Sequence, residues 1–232
     1  MLALFVLGII PLSLFSSYQN LSSPVSDGLG ITFTLLTDSA GSKGFLITLI
    51  LLILSLYRFK PSYKEWMQKL SMLGLLLVIG FVCKAGLKLM TESPRPYTEL
   101  LVAEQLIDTP ESFYQLTTEQ QSSAIEHVSN QVSDWRTRHW QGEKDYSFPS
   151  GHTIFVAICL AFFGGLMLQQ QCYFSAFALW FWGISVAYSR LWLGMHRPED
   201  LIGSVVFVAL IFTLLPTFQV TKKMPFVALA PR

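Results

Sequence analysis

Six apolar runs, separated by joints of unequal length and one long polar stretch, leave this chain few ways to fold. The runs cover residues 2–15, 44–56, 70–87, 153–168, 173–188 and 201–218. Several fall short of the roughly 20 residues that cross a bilayer as a helix, so their helices must extend into the flanks. The first could pass for a signal-peptide core. It lacks a basic leading region and a clear small-x-small cleavage site, and is read as a helix. Composition agrees with a membrane protein: 52% of the 232 residues are hydrophobic and only 13% charged, where soluble domains carry about 25% charge. Ten of the fifteen acidic residues fall between Lys88 and Ser150, so polarity is concentrated in one insertion. The expected fold is all-α. It is one polytopic membrane domain over residues 1–232, a bundle of six transmembrane helices carrying a helical periplasmic insertion at 97–147.

Basic residues set the expected orientation. The joint after the second run carries Arg58, Lys60, Lys64 and Lys69 against Glu65 alone, and the C-terminal tail carries Lys222, Lys223 and Arg232 with no acid. Six helices put both on one side with the N-terminus, and that side is expected to be cytoplasmic. The insertion and the loop around His196 then share the opposite face, the periplasmic one in a bacterium. The expected location is the bacterial inner membrane, with the lipid bilayer as surroundings. A net charge of +1 gives no support for nucleic acid as a partner. No obligate protein partner is indicated. Cys83, Cys159 and Cys172 are odd in number, lie in or beside apolar runs and lack zinc-site spacing, so they read as free structural thiols.

The insertion is too long for a turn. Thr109-Pro110 can start a helix, with proline at its first position, and Ser123 to Glu126 has capping-box spacing. Ile125, Val128, Val132 and Trp135 step by three, four and three, which makes one apolar helical face. The insertion reads either as a small cap resting on the bundle or as an interfacial lid bordering lipid entry.

Polar residues that carry chemistry gather at the ends of apolar runs on that same face. A phosphate ester needs fixed cations and backbone N–H groups to neutralise its oxygens in a partly dry pocket. Lys88, Arg95 and Arg190 supply the cations, and the two prolines of Pro94-Arg95-Pro96 restrict the backbone around one of them. Ser150, Gly151 and His152 precede an apolar run, so their N–H groups fall at a helix N-terminus where phosphate is welcome, and Gly151 permits close approach. Lys84, one turn before Lys88, reads as snorkelling to the interface. His196 lies six residues after Arg190 and four before Asp200. A carboxylate on one imidazole nitrogen fixes the tautomer and frees the other to attack. His196 is the candidate nucleophile, His152 the candidate general acid and base, and Asp200 the group that orients His196. His152, His196 and Asp200 nominally make a metal shell, but the surrounding cations repel a divalent ion, so no metal is expected. His127 is uninformative, and His139, in a basic-aromatic patch, reads as a solvated face.

On these residues the sequence resembles the type 2 phosphatidic acid phosphatase family, the lipid phosphate phosphatases. The pattern has three parts: Lys88, six residues, then Arg95-Pro96; Pro149-Ser150-Gly151-His152; and Ser189-Arg190, five residues, His196 and downstream Asp200. All spacings hold. The resemblance covers the chain from about the third apolar run to its end. It implies hydrolysis through a phosphohistidine on His196, without a metal or other cofactor. It also implies acid catalysis by His152, orientation by Asp200, and phosphate binding by Lys88, Arg95, Ser150, Gly151 and Arg190. The substrate implied is a membrane phospholipid or a polyprenyl pyrophosphate. The bacterial branch it is most similar to acts on phosphatidylglycerophosphate and also accepts phosphatidic acid, diacylglycerol pyrophosphate and undecaprenyl pyrophosphate. A dedicated undecaprenyl pyrophosphate phosphatase is the alternative within this class. A transporter or scaffold that keeps the motifs for lipid binding alone is the alternative outside it.

Overall fold

A computed structural model of the chain describes residues 1–16 and 20–214. Among these residues it forms eleven α-helices and no strand: α1 (Leu2–Ser16), α2 (Asp27–Ala40), α3 (Phe45–Ser55), α4 (Tyr63–Thr91), α5 (Tyr97–Ala103), α6 (Thr118–His127), α7 (Asp134–Gly142), α8 (Gly151–Cys159), α9 (Gly165–Gln169), α10 (Tyr173–Trp192) and α11 (Pro198–Leu214). A π turn, Leu160–Gly164, joins α8 to α9 in one run, Gly151–Gln169. This run is the axis of the molecule. Every residue from 153 to 160 is buried, and α8 packs on α4, α10 and α11, with α1 against α10 and α11 on the far side. Apolar side chains such as Leu7, Leu51, Val82, Phe174 and Leu210 point outward. So many exposed apolar side chains suit a chain surrounded by lipid.

Two described helices are long and apolar enough to cross a membrane, α4 and Gly151–Gln169. A third span results if α2 and the run Phe45–Phe59, bent by 69° against each other, count as one. That is fewer than the six expected. α1 counts as a shorter apolar helix over Leu2–Leu12 among the described residues, and α11 has 17 described residues. Residues 215–218 of the sixth run and the tail with Lys222, Lys223 and Arg232 lie outside the described residues. Gln169 to Cys172 turns the chain between α9 and α10 at the end away from the cavity described below.

Three local expectations are corrected. α2 is a helix that the apolar runs do not mark; its apolar residues are interleaved with Thr32, Thr34, Thr37 and Asp38, which dilutes the signal. In the insertion the capping box is Thr117 with Gln120, not Ser123 with Glu126, and Pro110 opens only a short 3-10 turn, Glu111–Gln115. The apolar face from Ile125 to Trp135 is not one helix. α6 ends at His127, a 3-10 turn follows, and α7 restarts behind Ser133. Ile125, Val128 and Val132 are still buried together in a second core with Tyr97, Phe113 and Trp140, while Trp135 packs over Gly30 of α2 and donates to Asp27. Trp192, Leu193 and Met195 belong to this second core too, so the loop carrying His196 is clamped between the cap and the bundle.

Candidate active site

The site forms where the ends of α4, α8, α10 and α11 meet the stretch after α7. Lys88 is buried in the last turn of α4 and donates to the Tyr146 carbonyl. Arg95 follows between its two prolines, 1% exposed. Its Nε donates to the Asp145 carbonyl at 2.8 Å and one terminal nitrogen to the Met195 carbonyl at 3.1 Å. Arg190 is fully buried in the last turn of α10 and donates to Thr37 of α2 at 2.6 Å. Beyond α10 the backbone reverses at Gly194, whose φ of 66° is the left-handed region that glycine enters at least cost. The Gly194 carbonyl accepts from Tyr97 N–H at 3.1 Å, which ties the His196 loop to α5.

His196 is 3% exposed. Its Nδ1 lies 3.4 Å from Asp200 Oδ2, one turn on in α11, and its Nε2 lies 3.5 Å from an Arg95 terminal nitrogen. Burial above all, then the charges of Arg95, Arg190 and Lys88, holds the imidazole pKa well below its usual value, so the ring is neutral at pH 7. His152 is half-buried at the start of α8, and a methyl group on Gly41 would come within 2.6 Å of its Nε2. A cavity of about 630 Å³ opens between these groups, lined by Lys88, Arg95, Gly151, His152 and His196 together with Lys84, Gly41 and Lys43.

The structure thus brings five of the sequence-derived residues to one cavity, and places the other three behind it. Asp200 is buried against His196. Ser150 is fully buried in the wall: its hydroxyl caps α8 by accepting from Thr153 N–H, and its own N–H donates to Ser204 at 2.9 Å. Arg190 lies behind Glu143, which accepts two hydrogen bonds from its guanidinium at 2.8 and 2.9 Å. Glu143 also accepts from Arg95 at 3.2 Å, and Asp145 bridges Arg95 at 2.6 Å and Lys88 at 3.1 Å. All three cations are therefore held by two carboxylates. Burial alone would raise both carboxyls. Arg190, His152 and Arg95 hold Glu143 well below the usual range, and Arg95 and Lys88 lower Asp145. The Nε of Arg190 is the buried side-chain polar atom without a hydrogen-bond partner among the described residues.

Glu143, Asp145, Ser147, Thr37 and His139 are site residues that the sequence does not single out. Glu143 and Asp145 sit in an acid-rich stretch where such residues ordinarily meet water; their only signal is their place just before Pro149 to His152. His139 is corrected from a solvated face. It is buried, lines the cavity and pairs with Thr34 at 3.2 Å, and burial with the nearby Arg190 lowers its pKa to about 4. Three imidazoles, three masked cations and a helix N-terminus around one cavity form a constellation suited to binding an oxyanion and transferring it to nitrogen.

A model of the PAP2 superfamily matches residues 68–224. Phosphatidylglycerophosphatase B of Haemophilus influenzae is 31% identical to this chain over 196 residues, 81% of each sequence. Phosphatidylglycerophosphatase B of Escherichia coli K12 is 30% identical over 135 residues, 57% of this chain and 53% of that relative.

Proposed function

This chain belongs to the PAP2 superfamily, and we propose that it is a membrane lipid phosphatase hydrolysing phosphatidylglycerophosphate to phosphatidylglycerol and phosphate. Phosphatidic acid, diacylglycerol pyrophosphate and undecaprenyl pyrophosphate are further substrates in this reading. The names of the two relatives support the substrate. The observation that carries the reaction is the convergence of Lys88, Arg95 and Arg190 on shared carboxylates beside His196, with Arg190 Nε lacking an acceptor among the described residues.

In the proposed reaction the substrate phosphate takes the place of Glu143 and Asp145 on the cations, with the Gly151 end of α8 adding backbone donors that Ser150 holds in register. His196 Nε2 attacks phosphorus and the phosphorus–oxygen bond to the lipid alcohol breaks. His152, which takes up a proton as the anionic substrate binds, gives that oxygen the proton of its imidazolium. His152 then takes a proton from water, which attacks the phosphohistidine and releases phosphate and neutral His196. Asp200 keeps the proton of His196 on Nδ1 throughout. No step requires a metal, because the cations carry the charge of the transferring group. The single domain, with 97–147 as its periplasmic cap, sits in the bacterial inner membrane as six spans, site outward and both termini cytoplasmic.

Phosphate release from phosphatidylglycerophosphate and from undecaprenyl pyrophosphate, in detergent micelles containing EDTA, tests this directly. The wild-type protein should release phosphate, and a folded His196→Asn protein should be slower by at least about 10³-fold. Release that depends on added metal, or that survives in the variant, would remove the proposed mechanism. The ratio of kcat/KM values decides between the two lipids.

A further inference from the structure

Ser147 belongs to none of the motifs from which the site was assembled, yet it is fully buried against the two residues that prepare the attacking nitrogen. Its Oγ lies 2.5 Å from Asp200 Oδ2, 3.2 Å from His196 Nδ1 and 3.3 Å from the Met195 carbonyl. A serine hydroxyl has one proton to give and two lone pairs to receive with. The Asp200 carboxylate is the nearest acceptor for that proton, and the Met195 carbonyl already receives Arg95. With its proton on Asp200, the Ser147 oxygen is free to accept from His196, and it lies nearer Nδ1 than the carboxylate does at 3.4 Å. Asp200 Oδ2 is steadied from the other side by Arg197 N–H at 2.8 Å.

We infer that Ser147 is a positioning residue for His196, the middle member of a hydrogen-bonded chain His196–Ser147–Asp200 that confines the imidazole proton to Nδ1 and aims the bare Nε2 into the cavity. No proton passes to Asp200; the chain orients and does not relay charge. The inference rests on the reading of His196 as nucleophile. The backbone N–H of Ser147 donates to the Ser93 carbonyl at 2.8 Å, a tie to the fold that the hydroxyl does not share.

The test measures kcat and KM with phosphatidic acid in EDTA-containing micelles for wild type, Ser147→Ala, Asp200→Asn and the double variant, each checked by thermal unfolding. Ser147→Ala should lower kcat by about 10- to 100-fold, the range for groups that orient a reacting ligand, with KM within about twofold of wild type. In the Asp200→Asn background the same replacement should cost less than about threefold, because the two side chains act as one unit. Wild-type kcat in Ser147→Ala, or losses that multiply independently, overturns the inference and leaves the phosphatase reading standing. Ser147→Cys keeps the shape, with a larger atom that is only a weak donor. If the alanine protein does not fold, the cysteine protein takes its place: a lowered kcat supports the inference and a wild-type kcat overturns it. A wild-type protein that releases no phosphate removes the phosphatase reading and this inference together.

Discussion

Glu143 and Asp145 place carboxylate oxygens against the guanidinium and ammonium groups that the proposed reaction needs for phosphate. Removing one of these charges has two opposed effects. Glu143→Gln leaves the buried Arg190 with Thr37 as its remaining strong acceptor, and an uncompensated buried charge destabilises a fold. The same change removes the internal competitor for an incoming oxyanion. The expected outcome is a lower Tm than wild type in phosphate-free detergent, with inorganic phosphate binding about tenfold more tightly, the scale of one hydrogen bond to a charged group. Added phosphate should then raise Tm more in the variant than in wild type. Thermal melts over a phosphate series check both; tighter binding by the wild type would contradict the competition. No pattern in the chain announces this role. A glutamate in an acid-rich insertion reads as solvated until the backbone folds it beneath Arg190, and Ser147 is equally silent because its burial depends on Met195 and Asp200 from another element.

At the scale of elements, α2 and α3 matter through the corner between them. Gly41 passes close enough to His152 that a Cβ would come within 2.6 Å of Nε2 and 3.2 Å of the Thr37 carbonyl. Gly41→Ala must displace the His152 ring from the cavity. The expected result is a kcat lower by about 10- to 100-fold through misplacement of the proposed acid, with Tm within a few degrees of wild type and inorganic phosphate still bound; an unchanged kcat would show that His152 works from another position. The corner is invisible in the sequence for a physical reason. Continuous apolar runs announce α3, α4, Gly151–Gln169, α10 and α11 because outward-facing and core-facing sides are both hydrophobic there. α2 is buried at Gly30, Thr37 and Ala40 alone, and it packs on α7 of the cap as well as on α8 and α10. The motifs at Pro149 to His152 and at Arg190 to Asp200 are legible because their spacing is local to one helix end. The pairing of α6 with α7 is not, since capping depends on which of several Ser and Thr residues has the helix behind it.

At the scale of the molecule, two cores meet at the site, one within the bundle and one within the cap. The proposed orientation puts the cavity and the turn near Gln169 on opposite membrane faces. With the three native cysteines replaced, Ser42→Cys should react with an impermeant maleimide added to intact spheroplasts, and Gln169→Cys should react only after permeabilisation. Labelling of both from one side would overturn the six-span arrangement. The carboxylate pair on the three cations has a consequence at this scale. A bilayer surface crowded with singly charged phosphodiesters would saturate a bare trio of cations. In the proposed reaction a mouth with two of its three positive charges already matched would behave instead as an ion exchanger, releasing its own two anions only to a guest that brings equivalent charge. A phosphomonoester or a pyrophosphate meets that exchange ratio, and the ordinary headgroups that surround the protein do not.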